Sequence, residues 1–442
     1  MRRRLIPVLL LLLVLLAACL TREAEPDGAP LAASTPTPPP TAVSSPPPLT
    51  TPGAATPITT TTATQTFTIW LPADLAGRTA PAADTLLAQL AAATAEWTDV
   101  EVRIEHKAVS GQGGILSYLR TGRSVAPGIL PDLVILRTDQ LAAARTEGLI
   151  YPLGGQLDAA RVDDLFPAAR TLAQADGELI GFPVVLNGLA HLSYQPQSIS
   201  GTLPTDWTQL AATPNQSLLL PATGRDGGQL GLQLYLSAGG ELVNEAGQPA
   251  LQLAPLTETL DRLARARADG LIMAQSTSLT TLAETWQLFL SGSGTMAVTT
   301  ADLFLPTLAT ADSVPGYAPL PGVNGRLIPF VQGWAWAVSS ADPARQALAA
   351  AVIATLTADA NLGAWSFESG MLPATRGALR QWPGADGGYG AFLQRELELA
   401  AAFPPAASST LLTVMGNAVF DVVSLTKSPQ VAAEEAIETL QQ

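Results

Sequence analysis

Cysteine and histidine are scarce in this sequence, and each shortage excludes a kind of chemistry. The chain has a single cysteine, Cys19, so it cannot form an internal disulfide. Its two histidines, His106 and His191, are far apart in the sequence. Neither has Cys or carboxylate neighbours at metal-ligand spacing, so no metal site is predicted.

The glycine-rich stretches lack the residues that catalytic motifs need. The stretch GQGG at 111–114 has no following Lys-Ser/Thr pair of a phosphate-binding loop, and it does not fit the dinucleotide pattern. In SGSG at 291–294, a serine stands where the nucleophile elbow G-x-S-x-G has its first glycine. We therefore predict that the protein is not an enzyme and uses no cofactor.

Basic residues are also few, with 23 against 37 acidic residues and a net charge of −14. Such a balance disfavours nucleic acid or an anionic membrane surface as the main partner. The prediction is a protein that does not bind nucleic acid.

The N-terminus has the pattern of a secretory signal. Arg2, Arg3 and Arg4 precede an apolar run from Leu5 to Leu16, which small residues and Cys19 follow. The run is shorter than the roughly 20 residues of a spanning helix, although a short membrane helix is the alternative. The sequence LAAC at 16–19 resembles the lipobox of bacterial lipoproteins. The resemblance implies a signal peptide at 1–18 and a lipidated Cys19 as the first mature residue.

A Pro-, Thr- and Ser-rich segment follows the cysteine, and it is predicted to be a disordered tether over residues 19–65. From Pro30 to Gln65, 24 of 36 residues are of these three types. The segment has no apolar periodicity with which to bury a core. The tether would hold the folded part close to the membrane, with the lipid as the only membrane contact.

Alternating strand and helix patterns begin at Thr66 and predict an α/β sheet. TFTIWL at 66–71 and DVEVRIE at 99–105 have the period of a strand, and PDLVIL at 131–136 reads as a parallel strand buried on both faces. Helices are predicted at 80–97 and at 139–148, the second ending at Gly148. The length after the tether favours two lobes.

Helical patterns dominate the later part of the chain. Helices are predicted at 254–270, 342–356 and 430–442. Asp342 followed by Pro343 is a strong start signal, with the aspartate at the N-cap and the proline at the first helical position. Trp207 is assigned a structural role at another helix start.

Two tryptophans stand close together in PFVQGWAWAVSS at 329–340. As a strand, this segment places Trp334 and Trp336 on one face and Ala335 and Ala337 on the other. Flat aromatic surface next to Gly333 suits the apolar face of a sugar ring. Packing in the core is the alternative role for both rings.

Several stretches, in this order and spacing, resemble the extracellular solute-binding proteins of sugar ABC transporters, the maltose-binding-protein-like cluster. The resemblance covers roughly residues 66–442, and two positions depart from the family pattern: Gln195 replaces the usual Asn, and Ser293-Gly294 replaces the usual charged residue. The stretches are PDLVILRTDQLAAARTEGLIYPL (131–153), DGELIGFPVVLNGLAHLSYQP (176–196), LPTDWTQL (203–210), the Gly-Gly segment and helix at 236–272, FLSGSGTMAVTTADLF (289–304) and YAPLPGVNGRLIPFVQGWAWAVSS (317–340), with GMLPATR (370–376) closing the series.

The resemblance implies a type II periplasmic-binding-protein fold of two α/β lobes with a ligand cleft between them. One lobe would comprise residues 66–187 and about 333–378, and the other 188–332 and about 379–442. Hinge bending near Val184–Leu192 and Phe330–Val338 would close the lobes on a solute. The implied function is the lipid-anchored, monomeric binding component of an ABC importer, placed in the periplasm or on the cell surface. It would present a mono- or oligosaccharide to the permease subunits.

Ligand-binding residues are expected at the C-terminal ends of strands and on crossovers, where open α/β sheets bind ligands. The carboxylates and amides would form hydrogen bonds with sugar hydroxyls, and the aromatic rings would stack on the sugar. The alternative for Asp139 is a helix cap, and the alternative for Asp302 and Phe304 is an ordinary loop or core position. The candidates are Gln112, Asp139, Asn187, Asp302, Phe304, Trp334 and Trp336.

Two other functions stay open on the sequence alone. The same fold could bind a polyamine or another small solute, with carboxylates and an aromatic box around the charge. A lipid-anchored sensor or scaffold with no transport role is the second alternative.

Overall fold

The computed structural model describes residues 65–76, 78–199, 203–310 and 313–441. The predicted signal peptide, Cys19 and the tether up to residue 64 lie outside the described residues. The part described is one compact unit. It contains a large seven-stranded and a small four-stranded β-sheet, each covered by helices, and two further sheets of two strands each.

The strands alternate with helices in the first third of the chain, as predicted. Most strands are short, and the longest is β13. The strands are β1 Gln65–Pro72, β2 Val100–Lys107, β3 Leu133–Arg137, β4 Gln174–Ala175, β5 Glu178–Leu179, β6 Phe182–Asn187, β7 Ala190–Tyr194, β8 Leu218–Leu219, β9 Met296–Thr300, β10 Gly316–Ala318, β11 Pro321–Gly322, β12 Gly325–Arg326, β13 Phe330–Val338, β14 Leu372–Pro373 and β15 Ala401–Ala402.

Helices make up most of the second half. Short 3₁₀ turns at Pro127–Ile129, Pro196–Ser198 and Ala274–Ser278 supplement them. The α-helices are α1 Ala73–Ala76, α2 Ala80–Ala93, α3 Ile115–Val125, α4 Thr138–Thr146, α5 Ala159–Asp163, α6 Pro167–Leu172, α7 Trp207–Ala212, α8 Gly224–Ser237, α9 Leu253–Ala268, α10 Leu282–Leu290, α11 Ala301–Thr310, α12 Pro343–Leu356, α13 Asp359–Ser369, α14 Arg376–Arg380, α15 Gly388–Leu399, α16 Ser409–Val423 and α17 Pro429–Gln441.

The large sheet has the strand order β14-β6-β13-β3-β1-β2, with β15 paired to β13. Strands β1, β2 and β3 run parallel, and β13 lies antiparallel between β3 and β6. The first four residues of β3 are buried, as predicted for a parallel strand covered on both faces. The carboxyl ends of β1, β2 and β3 therefore share one edge of this sheet, which we call the carboxyl edge.

The small sheet has the order β10-β7-β9-β8. Within the described residues, the chain passes between the two sheets and their cores at three places. Residues 188–189 join β6 to β7, and residues 319–329 lead from β10 to β13. After β15 the chain continues into α16, which packs in the core of the small sheet. Helix α15 contacts both sides: it packs in the cluster that includes the large sheet, and its Tyr389 and Phe392 pack against His191 of β7.

Local signals in the sequence set most helix ends. The side chain of Asp342 caps α12 by accepting from the Ala344 amide at 2.9 Å, and Pro343 is the first helical residue, which confirms the predicted start. Gly148 follows the end of α4 with φ of +66°, as predicted for a C′ glycine. The helix predicted to reach Trp97 ends at Ala93 instead. Trp97 packs edge-on against Phe67 of β1, with ring centroids 5.2 Å apart. The chain leaves the helix before Trp97, and this allows the ring to pack there.

The large sheet is buried between two apolar clusters. Trp336 lies in one cluster, with Trp334 packed against it, and Ala335 and Ala337 lie in the other. The predicted division of this strand into a tryptophan face and an alanine face is confirmed. Of the helices that the structure describes, no single one is long and apolar enough to span a membrane, and α12 and α13 meet that test only together, with a 69° bend between them.

Candidate functional site

A cavity of about 460 Å³ lies at the carboxyl edge of the large sheet. Its size falls in the roughly 300–1,000 Å³ range of small-molecule sites. The first turn of α4 and β13 line it from the large sheet, and the start of α8 and the segment after β15 line it from the other side. The lining residues are Arg137, Thr138, Asp139, Ala142, Thr171, Leu172, Gln174, Ile180, Arg225, Gln332, Ala402, Phe403, Pro404, Pro405, Ala407 and Ser409.

Arg137 and Asp139 form a two-pronged ion pair on the wall of the cavity. The Arg137 Nε lies 3.0 Å from Asp139 Oδ1, and its Nη2 lies 2.5 Å from Oδ2. Asp139 is the second residue of α4, and Arg137 precedes the helix. The carboxylate is therefore held by the neighbouring guanidinium and does not cap its helix. Its remaining lone pairs are available to hydroxyl donors in the cavity.

The crossing strands bring a pair of amides together beside this ion pair. Gln332 of β13 is opposite Asn187 of β6 in the antiparallel register, and Gln332 lines the cavity. The Oδ1 of Asn187 is buried and has no hydrogen-bond partner among the residues described. A buried amide oxygen of this kind is costly unless something donates to it.

Gly333 is required where these strands cross. A Cβ at this position would lie 2.1 Å from the backbone oxygen of Val185, which is inside contact distance. The Gly333 amide donates to the Thr138 hydroxyl at 3.0 Å. This bond ties β13 to the first turn of α4, so Gln332 and Asp139 keep a fixed relation in the cavity wall.

Arg225 supplies the charge on the opposite wall. It is the second residue of α8, directly after Gly224, which has φ of +68° and whose Cβ would lie 2.9 Å from the Thr280 backbone oxygen. The neighbouring Asp226 is used elsewhere, since its Oδ2 accepts from the Leu282 amide at 2.8 Å. Arg225 has no ion-pair partner in the part of the chain that the structure covers.

A second cation, Lys107 at the end of β2, also lies at the carboxyl edge. Its Nζ is 2.8 Å from Glu105 Oε2 and stands 4.9 Å and 5.2 Å from the ring centres of Trp70 and Tyr118. The hydrogen bond from Lys107 is the largest cause that lowers the pKa of the Glu105 carboxyl below its ordinary value. Lys107 is therefore paired with an ionised carboxylate, whereas Arg225 is not.

The candidate residues predicted from the sequence are only partly brought together. Asp139 lines the cavity, and Asn187 lies opposite Gln332, as just described. Trp334 is half-buried and opposite Arg137 in the β13–β3 register. Gln112 is exposed in the turn between β2 and α3, and it is not one of the described residues that line the cavity. Asp302 is half-buried in the first turn of α11.

Two of the predicted stacking rings are used in the core. Phe304 exposes 0% of its surface and Trp336 2%, so neither offers a face to a solute in this structure. Phe304 packs with Tyr389 and Tyr317, at centroid distances of 4.5 Å and 5.8 Å. The ring that does line the cavity is Phe403, which packs edge-on against Phe330 at 6.0 Å.

A buried histidine stands at the centre of the Phe304 cluster. His191 is fully buried, and its Nε2 accepts from the Tyr389 hydroxyl at 2.9 Å, with the opposite ring nitrogen 3.3 Å from the Leu192 backbone oxygen. Loss of hydration lowers the pKa of His191 to about 4, so the imidazole is neutral near pH 7. Burial also raises the pKa of Tyr389 well above its ordinary value, which keeps its hydroxyl as the donor. We assign this cluster to packing.

Sequence reasoning missed Arg225, Gln332, Phe403 and the third crossing. Arg225 follows a glycine at a helix start in TGRDGG, and Gln332 precedes Gly333 on the crossing strand. A glycine beside each residue is a local signal that another backbone segment passes close by. The sequence does not show which segment that is. Phe403 stands in a short Ala- and Pro-rich loop, which carries no motif.

Two sheets joined by crossing strands, with a solute-sized cavity at the carboxyl edge where the crossings meet, define a small-molecule-binding scaffold. The profile of the bacterial extracellular solute-binding proteins matches residues 60–386. This chain belongs to that family. It is therefore an extracytoplasmic solute-binding protein. No protein of curated function matches the sequence significantly.

Solved structures of solute-binding proteins, among them two that bind maltose-type sugars, share the fold, which confirms the predicted two-lobed α/β class. The cyclic α-maltosyl-1,6-maltose binding protein of Arthrobacter globiformis has a TM-score of 0.66 at 18% identity, with 85% of this chain and 97% of that chain covered. The maltose-binding periplasmic protein of Listeria monocytogenes, solved with maltose, scores 0.65 at 16% identity over 86% and 97%. A family 1 extracellular solute-binding protein of Alicyclobacillus acidocaldarius scores 0.67 at 17% identity over 85% and 97%.

Proposed function

We propose that this protein is the binding component of an ABC importer and that it binds a mono- or oligosaccharide in the cavity at the carboxyl edge. The observation that carries the proposal is the lining of that cavity. It combines amide, hydroxyl and carboxylate groups with one aromatic ring, Phe403. The maltose and maltodextrin ligands named for structural relatives support a saccharide.

Each part of the lining has a role that sugar chemistry requires. Asp139, held by Arg137, accepts from sugar hydroxyls, and the Gln332 amide donates and accepts. Asn187, opposite Gln332 in the register but outside the residues that line the cavity, is a further candidate. A sugar hydroxyl that donates to the unpartnered Asn187 Oδ1 would remove the cost of burying it. Phe403 packs against the apolar face of the ring, and Trp334 is the second candidate for stacking.

The proposed mechanism is closure of two lobes by bending at the crossings. The predicted lobes are 66–187 with about 333–378, and 188–332 with about 379–442. The segments on either side of the cavity belong to different lobes in this division, so a bound solute favours the closed state.

The remaining parts of the proposal concern the setting in the cell. Lipid on Cys19 and the tether would keep a monomeric protein at the membrane, in the periplasm or on the cell surface, next to permease subunits. A polyamine is disfavoured as the solute, since Arg225 would repel a polycation from the cavity. A permease gene beside this one would favour transport, and a neighbouring histidine kinase gene would favour the sensor alternative.

Thermal unfolding of the purified protein tests the proposal. The melting temperature is measured with each member of a panel of sugars, polyamines and amino acids. A solute at 100 times its dissociation constant stabilises the folded protein by about 2.7 kcal/mol, which is measurable as a rise in melting temperature. Gln332→Ala should weaken binding about tenfold, because one hydrogen bond to the solute is lost and its strand partner stays in place.

The matched control is Gln287→Ala, an exposed glutamine on α10 that is outside the cavity lining. This variant should bind as the unmodified protein does. Stabilisation by polyamines or amino acids and by no sugar would refute the saccharide proposal. Equal loss of binding in both variants would show that the cavity is not the site.

A further inference from the structure

The charge of the cavity points to a narrower class of solute. Of the sixteen described residues that line it, three are charged: Arg137, Asp139 and Arg225. The first two neutralise each other through the two-pronged ion pair. We propose, resting on the saccharide-binding function above, that the solute is an acidic saccharide whose carboxylate pairs with Arg225.

A smaller cavity beside Arg225 adds hydroxyl and amide side chains and has no acid among its described lining residues. Arg225 also lines a smaller cavity of about 150 Å³ next to the first, and its other described lining residues are Gly224, Ser409, Leu412, Thr413 and Asn417. The Ser409 hydroxyl and the Asn417 amide of this set can donate to a carboxylate beside the guanidinium, whereas the Thr413 hydroxyl donates to the Ser409 backbone oxygen at 2.9 Å. The contrast with the whole chain is sharp, because acidic residues outnumber basic ones by 37 to 23.

Arg225 is exposed in the first turn of α8, where the helix dipole mildly disfavours a cation. A cation in the first turn of a helix lies at the positive end of the helix dipole. Helix α8 has fourteen residues, and its N-cap, Thr223, makes no capping bond through its side chain within the described structure. A bound carboxylate beside Arg225 would offset this repulsion, because the carboxylate is attracted both by the guanidinium and by the positive end of the helix dipole.

A second helix begins beside α8 and adds to the positive potential. Gly228 of α8 lies so close to α16 that a Cβ there would be 2.0 Å from the Leu412 backbone oxygen, and a Cβ on Gly416 would be 2.7 Å from the Gly224 oxygen. The glycines therefore let the first turns of the two helices lie side by side. Both turns contribute residues to the cavity, Arg225 from α8 and Ser409 from α16.

The amount of charge favours a carboxylate over a phosphate. One uncompensated guanidinium balances a single negative charge, and a phosphate monoester carries about two near pH 7. Asp139 would add repulsion against a dianion in the same cavity. The proposal therefore commits to a uronate-type sugar, with sugar phosphates as a comparison in the test.

Paired sugars test the inference in the full-length purified protein. The probes are glucose with glucuronate, galactose with galacturonate, their short oligomers, and glucose 6-phosphate, each measured by calorimetry. We expect an acidic sugar to bind about tenfold or more tightly than its neutral partner, with an affinity that falls as sodium chloride is added.

Arg225→Gln should remove that preference while the affinity for the neutral sugar changes little, and Arg225→Lys should restore part of it. The control is Arg265→Gln on α9, whose guanidinium is exposed and pairs with Asp261 at 2.8 Å, outside the cavity lining. Melting temperatures of the variants without sugar show whether each one folds. A variant that fails to fold is replaced by the Lys substitution for the same comparison.

The outcomes separate this inference from the proposed function. Equal affinity for the acidic and the neutral sugar, or an equal loss of both in Arg225→Gln, overturns the acidic-solute inference and leaves saccharide binding intact. Tighter binding of glucose 6-phosphate than of glucuronate overturns the choice of a carboxylate. Failure of every sugar, neutral or acidic, overturns the proposed function itself.

Discussion

Protonation of His191 should make this protein sensitive to acid. The ring is fully buried among Phe304, Tyr389 and Phe392, and loss of hydration lowers its pKa from 6.5 to about 4. In the unfolded chain the ring takes up a proton near pH 6.5. The unfolded state therefore binds more protons than the folded state between pH 6.5 and 4, and the free energy of unfolding falls as the pH is lowered through that window.

The magnitude follows from the size of the shift. Each pKa unit corresponds to about 1.4 kcal/mol, so this single group should remove about 2 to 3 kcal/mol of stability between pH 7.5 and pH 4.5. The charged groups nearest the cluster act on Tyr389, whose pKa is raised first by burial and then by Asp302, Tyr317 and Glu396. Tyr389 stays protonated throughout the window and does not titrate with His191.

Urea unfolding of His191→Gln at the two pH values isolates this contribution. Glutamine retains an acceptor for the Tyr389 hydroxyl but does not titrate, so the variant should lose about 2 to 3 kcal/mol less than the unmodified protein on acidification. The control is His106→Gln, which replaces the other histidine, an exposed one. Identical pH dependence of the unmodified protein and His191→Gln would refute the reasoning.

Two further predictions concern the backbone that supports the site. Gly333→Ala should destabilise the fold by about 3 kcal/mol in urea unfolding, because a Cβ there would lie 2.1 Å from the Val185 backbone oxygen. The control Gly113→Ala should cost less than about 1 kcal/mol, because the nearest atom to its Cβ is 3.8 Å away. Similar costs for the two variants would contradict the crossing geometry. Asp342→Ala should cost about 1 kcal/mol through loss of the α12 cap, and an unchanged urea midpoint would show that the cap contributes nothing.

The sequence predicts those features that depend on neighbours along the chain. The alternation in TFTIWL and the continuous apolar run of β3 identify strands, because a two-residue period and burial on both faces act on adjacent residues. The Asp342-Pro343 start and the Gly148 end of a helix are equally local. Trp97 was misassigned to a helix because its burial against Phe67 depends on another strand, β1.

The site depends on segments that are distant in the sequence. Asp139 follows a strand end and was found by that rule, but Arg225 and Phe403 reach the same cavity from positions about 90 and 260 residues further on. Trp334 and Trp336 illustrate the opposite error. Their shared face was predicted correctly from the period of the strand, but the period cannot say whether that face meets the core or a solute.

In the proposed function, the arrangement of the crossings would couple solute binding in this cavity to closure of the lobes. Asp139 lies at the start of α4 and Arg225 at the start of α8, and in the proposed division these residues belong to different lobes. A solute that bonds both walls can do so fully only when the walls are close, which ties its binding energy to closure. The same residues would also set selectivity, because an uncharged sugar bonds to Gln332 and Asp139 but leaves Arg225 unpaired. An acidic sugar would therefore favour the closed state more strongly than a neutral sugar of the same size, through one additional charged contact across the crossings.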